Sequence, residues 1–195
     1  LKSSEAYYRT IFQNTGTVMV VIDEDSTISL TNAECEKVIG YPPEALMGKR
    51  TVFEFVAKDD LKRVQEYYRI RRTDPDKVPR SYEARAVDRS GNVKDVLITV
   101  ALIPGTQKSI ASFIDITESK KMEAALKESE AKYRNIFQNA MEGIFQTSMN
   151  GAIMSANPSF ARLFGYRSPE EIMKAVKDIR YEIYTDEGQR NELRR

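Results

Sequence analysis

The chain has 195 residues with 30 basic and 29 acidic side chains, which gives a net charge of +1, and 41% of its residues are hydrophobic. This composition is typical of a globular domain, and since no run of about 18 apolar residues occurs, we expect no membrane contact in this segment. The absence of histidine excludes histidine-ligated haem, and the single cysteine, Cys35, excludes an internal disulfide and indicates a reducing, cytoplasmic environment.

Residues 1–14 are predicted to form a connector helix, because a seam runs along them at spacings of three, four and three residues. The seam consists of Leu1, Ser4, Tyr8 and Ile11. A β-branched run at 17–23 and a second run at 27–31, separated by turn-forming residues, predict a hairpin. Asn32 precedes a helical run that stops at Gly40, so we expect its side chain to cap that helix; contact with a ligand is the alternative.

Two short helical segments at 43–47 and 52–56 are followed by a longer amphipathic helix at 59–72. The basic residues of the long helix are interleaved with acidic ones, which we interpret as a solvated helix face and not as a nucleic-acid-binding surface. These basic residues are Lys62, Arg63, Arg69, Arg71 and Arg72.

Three strand-like segments, 80–88, 93–103 and 109–116, are joined by turn signals and predict an antiparallel meander. Both faces of the middle strand are apolar, so both must be covered. We expect the short helices to cover one face, and the flanking helix or a second molecule to cover the other.

Residues 117–138 predict a second connector helix, and Thr117 is placed to cap its first turn. A heptad seam with charged neighbours follows, which favours contact between two copies of the helix; a solitary helix packed on its own sheet is the alternative. The seam consists of Ser119, Met122, Leu126, Ser129, Tyr133 and Ile136.

The sequence repeats itself at a period of 125 residues. Residues 4–14 match 129–139 at nine of eleven positions, and the register holds without a gap through Asn32 and Asn157. A period of this length indicates a duplicated domain, and we expect further chain before the first connector. The second copy has 67 residues, which supply only the first two strands, so we expect an incomplete and weakly stable unit.

Several short motifs accompany this order of elements. They are Asn32, Gly40-Tyr41, the segment from Pro43 to Gly48, the turn from Asp88 to Gly91, and Asp115-Ile116-Thr117-Glu118, with Asn157-Pro158 and Gly165-Tyr166 in the second copy. In this order they resemble the Per-Arnt-Sim (PAS) sensor domain. The resemblance implies an α+β fold, with a five-stranded antiparallel sheet and short helices on one face. It divides the chain into a connector helix (1–14), a complete PAS domain (15–118), a helical linker (119–138) and the first half of a second PAS domain (139–195).

The resemblance also implies a function. We expect the sensory input and dimerisation region of a prokaryotic multidomain signalling protein, in particular a sensor histidine kinase of a two-component system whose effector domain lies outside this segment. A small ligand or cofactor would bind at the inner sheet face, and the helix after Asp115-Ile116-Thr117 would transmit the change, with Asp115 and Thr117 fixing its root. The alternatives are a ligand-free spacer that aligns dimeric effector domains, and an input to a cyclic-di-GMP enzyme.

Two sets of candidate site residues follow. The inner-face residues that are candidates for a ligand pocket, with plain core as the alternative, are Val20, Ile22, Ile28, Phe53, Phe55, Val56, Ile98 and Val100. The residues expected to form the homodimer seam are Leu1, Tyr8, Ile11, Met122, Leu126, Tyr133 and Ile136.

The identity of a cofactor is left open. Flavin photosensors of this family use a cysteine in an Asn-Cys-Arg-Phe-Leu-Gln type segment, whereas Cys35 lies in Asn-Ala-Glu-Cys-Glu, so we do not expect a cysteinyl-flavin. Neither a Gly-rich phosphate loop nor a Gly-x-Ser-x-Gly or paired-carboxylate motif is present. We therefore predict no enzyme active site and no metal site in this segment.

Overall fold

The computed structural model describes residues 2–183, with side chains described from residue 5 onward. Leu1 of the predicted seam therefore lies outside the described residues. The chain divides into two compact units between Met122 and Glu123, inside the helix predicted as the linker. Each unit has its own sheet and its own core.

The first unit contains a five-stranded sheet and four helices before the linker helix α5. In chain order the elements are α1 (Lys2–Gln13), β1 (Val18–Ile22), β2 (Ile28–Thr31), α2 (Glu34–Ile39), α3 (Pro43–Leu46), a 3-10 segment (Val52–Phe55), α4 (Lys58–Thr73), a 3-10 turn (Pro75–Lys77), β3 (Ser81–Val87), β4 (Val93–Leu102), β5 (Ser109–Asp115) and α5 (Thr117–Asn139). The strand order is β2-β1-β5-β4-β3, and every neighbouring pair is antiparallel. This confirms the predicted α+β fold with its five-stranded antiparallel sheet. No helix among residues 2–183 is both long and apolar enough to cross a bilayer.

The inner face of the sheet is apolar because alternate residues of each strand point to it. On β1, Val18, Val20 and Ile22 are buried. Ile39 of α2 and Leu46 of α3 pack against them. Burying one such side chain stabilises the fold by about 1.5–3 kcal/mol, so this face supplies much of the core.

The outer face of the sheet is covered only in part. Helix α1 lies along β1 and β2, where Ile11 borders a groove together with Met19 and Leu30. Leu97 and Ile114, which pair across β4 and β5, are 36% and 49% exposed. An apolar patch therefore remains on this face.

The prediction that Asn32 caps α2 is wrong. Its Oδ1 accepts the N–H of Met19 at 3.1 Å, and its Nδ2 donates to the carbonyls of Phe12 at 3.0 Å and Thr17 at 2.8 Å. The side chain is fully buried. Because α2 begins two residues later, the amide is free to tie the end of α1 to the start of β1. Gly40 ends α2 with φ at 81°, as predicted.

The second unit contains a smaller sheet of two strands among its described residues. Its elements after α5 are β6 (Phe145–Thr147), β7 (Ile153–Ala156), α6 (Pro158–Leu163), α7 (Pro169–Ala175) and α8 (Ile179–Glu182). The two strands pair in antiparallel fashion. Its core consists of Ile153, Ala156, Phe160, Ala161, Ile172, Val176 and Ile179. The two-stranded sheet agrees with the predicted incomplete second unit.

The sequence repeat is preserved in the hydrogen bonds of Asn157. Its Oδ1 accepts the N–H of Ile144 at 2.9 Å, and its Nδ2 donates to the carbonyl of Glu142 at 2.9 Å. These are the positions 125 residues after two partners of Asn32. Unlike Asn32, Asn157 also caps a helix, because its Oδ1 accepts the N–H of Phe160 at 2.8 Å. The shared role of the two asparagines is therefore the tie to the first strand.

Replacing Asn32 by Asp should destabilise the first unit by about 2 kcal/mol or more at neutral pH, because the new carboxylate oxygen would face the carbonyls of Phe12 and Thr17 and leave both without a donor. Hydrogen exchange of the β1 and β2 amides measures this loss. Gln65→Glu makes the same chemical change at an exposed position of α4 and should shift stability by less than about 0.5 kcal/mol. Equal protection in both variants would contradict the structural role of Asn32.

Candidate ligand-binding site

A cavity of about 100 Å³ lies between the inner face of the sheet and the segments that cover it. All eight residues predicted as pocket candidates line this cavity. They are Val20, Ile22, Ile28, Phe53, Phe55, Val56, Ile98 and Val100. The structure therefore brings together side chains that lie up to 80 positions apart in the sequence, from Val20 to Val100.

The strand register explains why these side chains meet. Val20 of β1 and Val100 of β4 both pair with Ala111 of β5, so the three stand side by side on the inner face. Ala111 and Ala86 of β3 also line the cavity. Because an alanine side chain is a single methyl group, these two positions leave a space that a larger side chain would fill.

The cavity wall also contains residues that the sequence did not predict for it, and these include most of its polar groups. Among them are Cys35, Tyr68, Arg71, Arg72, Tyr82 and Phe113. Arg71 is only 4% exposed, so the predicted solvated face is wrong for this residue. Val64, Tyr68 and Arg71 follow one another at spacings of four and three, which places them on the inward face of α4. That spacing is the signal from which Arg71 could have been identified.

Backbone carbonyls hold Tyr68 and Arg72 in place on the wall. The Tyr68 hydroxyl donates to the carbonyls of Asp23 at 2.6 Å and Glu24 at 3.0 Å. Arg72 stacks on the Tyr68 ring, with its Cζ 3.5 Å from the ring centroid, and its Nη2 donates to the Asp23 carbonyl at 3.3 Å. Burial raises the pKa of the Tyr68 hydroxyl, so it remains a protonated donor at neutral pH.

Cys35 lies on the cavity wall as a fully buried free thiol. Burial raises the pKa of this thiol. A nucleophile, a metal ligand or a redox sensor needs the thiolate, which a raised pKa disfavours at neutral pH. In this fold Cys35 therefore acts as a small apolar side chain of the wall.

The first turn of α5 is anchored to β4 by three hydrogen bonds around Asp95. The Thr117 hydroxyl accepts the N–H of Asp95 at 2.9 Å, and the N–H of Ile116 donates to the Asp95 carbonyl at 2.8 Å. Asp115 Oδ1 accepts the N–H of Thr117 at 2.9 Å. The prediction that Thr117 caps the helix is therefore wrong: Thr117 is the first helical residue, its hydroxyl bonds the neighbouring strand, and Asp115 takes the helical N–H.

Charged side chains reinforce this anchor. Partial burial alone would raise the pKa of Asp115, but the hydrogen bonds from Thr117 and the ammonium group of Lys94, 3.6 Å away, hold that pKa below its ordinary value. Asp115 is therefore a carboxylate at neutral pH. Lys120 adds an ion pair with Asp95 at 2.9 Å. This pair is largely exposed, so it contributes about 0–1 kcal/mol and is secondary to the hydrogen bonds.

The residues predicted to form a dimer seam are exposed wherever their side chains are described. They are Tyr8 and Ile11 on α1, and Met122, Leu126, Tyr133 and Ile136 on α5. A row of exposed apolar side chains on one helix is typical of an interaction surface. The structure places no other described residue over this row on α5.

Two family profiles match the chain. The profile described as PAS fold matches residues 6–114, and the profile described as PAS domain matches residues 131–195. Sporulation kinase E of Bacillus subtilis (strain 168) is 25% identical over 186 residues, which cover 94% of this chain and 24% of the kinase. The chain thus spans about a quarter of the length of this relative.

Solved PAS domains have the same fold. The PAS domain of a protein from Colwellia psychrerythraea has a TM-score of 0.52 at 18% identity, and the match covers 58% of this chain and 97% of that one. The PAS domain of an HTR-like protein from Haloarcula marismortui has a TM-score of 0.48 at 22% identity, with 59% and 93% covered.

Replacing Thr117 by Val keeps the shape of the side chain and removes its hydroxyl. The N–H of Asp95 then loses its acceptor, which should cost about 1 kcal/mol and speed the exchange of this amide. NMR-detected hydrogen exchange measures the effect at the single amide. Thr117→Ser, which retains a hydroxyl, is the matched control. Exchange at the wild-type rate in Thr117→Val would show that this bond does not hold the helix root.

Proposed function

The chain belongs to the PAS family, and from this we propose that it is the sensory input and dimerisation segment of a cytoplasmic signalling protein of the two-component type. A sensor histidine kinase is the parent protein that its similarity to sporulation kinase E supports. These 195 residues contain no histidine that could accept a phosphoryl group, so the catalytic part would lie elsewhere in that protein. The role of this segment would be to detect a small molecule and report it.

The observation that carries the proposal is that one strand forms both the cavity wall and the anchor of α5. Val96, Ile98 and Val100 of β4 line the cavity. Asp95, the residue before Val96, makes the hydrogen bonds to Thr117 and to the N–H of Ile116. An occupant that displaces β4 therefore acts directly on the root of the helix.

The size of the cavity is compatible with a switching ligand. Moving a two-state equilibrium from 1:99 to 99:1 requires a difference in binding free energy of about 5.5 kcal/mol between the states. The smallest ligands gain at most about 1.5 kcal/mol per non-hydrogen atom, so a full switch needs at least about four such atoms. A cavity of about 100 Å³ has room for a molecule of roughly this size.

Butanamide, a neutral molecule with six non-hydrogen atoms, is a suitable first probe. We expect it to bind with a millimolar dissociation constant and to shift NMR signals of the cavity methyl groups. Ala111→Leu adds three carbon atoms that project into the cavity, and it should weaken binding more than tenfold. Ala101→Leu makes the same change on the opposite face of the sheet, because Ala101 pairs with Ile110, and should leave binding unchanged.

Three results would decide the proposal. Binding that Ala111→Leu abolishes and Ala101→Leu retains supports a sensory cavity. Equal loss in both variants, or binding elsewhere on the protein, contradicts it. If the folded wild-type chain binds no probe, the cavity is a packing defect and the sensory role fails.

A ligand-free spacer is the second candidate function, and the exposed seam on α5 favours it. Such a spacer would align two effector domains through contacts between two copies of this helix. Dimerisation belongs to both candidates, whereas ligand binding belongs only to the first. The binding experiment therefore separates them.

Dimerisation through the seam predicts that Leu126→Lys, which places a charge in the apolar row, lowers the fraction of dimer at least tenfold. Ala124→Lys adds the same charge at an exposed position away from the seam and serves as the control. Sedimentation velocity over a range of concentrations measures both. A wild-type chain that stays monomeric at high concentration, or a Leu126→Lys variant that dimerises normally, would contradict a dimer through α5.

A further inference from the structure

The charges on the cavity wall are unbalanced. Of the side chains that line the cavity, Arg71 and Arg72 are cationic and none is acidic. Most of the remaining wall is aliphatic or aromatic. A wall of this composition would complement a ligand with an apolar part and a negative charge.

Arg71 is a buried cation without a carboxylate partner among residues 5–183. It is 4% exposed, and its Nη2 donates to the carbonyl of Pro79 at 2.6 Å. No other acceptor lies within hydrogen-bond distance of its guanidinium group in the described part of the chain. Burial lowers the pKa of Arg71, but arginine remains charged at every physiological pH.

The local structure compensates this buried charge incompletely. A buried guanidinium is normally paired with an acidic group, because removing it from water is costly. Arg71 and Arg72 lie in the last turn of α4, where the helix dipole favours cations, but that effect is weak. One carbonyl satisfies one of the five N–H groups of Arg71. The site is therefore prepared for an anion that the protein itself does not supply.

Arg72 adds a second donor beside the first. Its Nε is buried and has no hydrogen-bond acceptor among the described residues. The stacking of its guanidinium plane on the Tyr68 ring fixes the orientation of this group. Two adjacent guanidinium groups with unused N–H donors can hold the two oxygens of one carboxylate.

We propose that the cavity binds a small aliphatic carboxylate, with its charged end held by Arg71 and Arg72 and its apolar chain directed toward the inner face of the sheet. The inference rests on the proposed sensory function and adds the chemical class of the ligand. The volume of about 100 Å³ limits the aliphatic chain to a few carbon atoms. Butanoate is the test molecule, because butanamide has the same shape without the charge.

The experiment is an NMR titration of the whole chain with butanoate and with butanamide at constant ionic strength and pH 7. The wild-type protein should bind butanoate at least tenfold more tightly than butanamide, as expected for hydrogen bonds between charged groups. Arg71→Met, which keeps the length of the side chain, should remove this preference and retain butanamide binding. Arg71→Lys should keep part of the preference. Arg69→Met, at an exposed position of the same helix, should change neither affinity.

Each outcome supports or overturns one claim. A tenfold preference that Arg71→Met abolishes and Arg69→Met retains supports the carboxylate site. Equal affinity of the wild-type protein for both probes overturns the carboxylate inference and leaves the sensory cavity intact. If neither probe binds, the proposed function itself fails. Should Arg71→Met not fold, loss of the preference in folded Arg71→Lys and its absence in wild type remain the deciding measurements, and an unaltered preference in Arg71→Lys is the result expected of any charged donor.

Discussion

The inner face of the five-stranded sheet must be covered by chain from outside the sheet, because its apolar side chains stabilise the fold by about 25 cal/mol per Å² only when they are removed from water. Short helices and one helix of 16 residues, α4, provide this cover. Ala86 and Ala111 leave the centre of the face incompletely filled. The packing that stabilises the sheet therefore also creates its cavity.

Strand β4 connects this cavity to the exit of the chain. It lies between β3 and β5, so it cannot move without changing the pairing on both sides. Asp95 at one end of the cavity wall fixes the first residues of α5 through backbone hydrogen bonds. Helix α5 has 23 residues and is therefore about 35 Å long. A small displacement at its root would be carried along a stiff element that bears an exposed apolar seam.

Much of this arrangement could be predicted from the sequence, because it depends on local periodicity. Alternating apolar residues define the strands, and they identified eight side chains that the structure places around one cavity. Asn32 and Thr117 were each assigned to a helix cap, since sequence shows the neighbouring helix but not the strand that competes for the same hydrogen bond. Arg71 was assigned to the surface by its charge. Its burial depends on the spacing from Val64 and Tyr68 and on the packing of α4 against the sheet.

The central claim is that occupancy of the cavity is coupled to the root of α5. Its most direct test is to measure the hydrogen exchange of the Asp95 and Ile116 amides with and without saturating butanoate. These amides donate the two bonds that join β4 to the helix root. The coupling predicts that their protection changes together with the signals of Val96 and Val100. Changed signals at Val96 and Val100 with unchanged protection at Asp95 and Ile116 would show that the cavity fills without reporting to the helix.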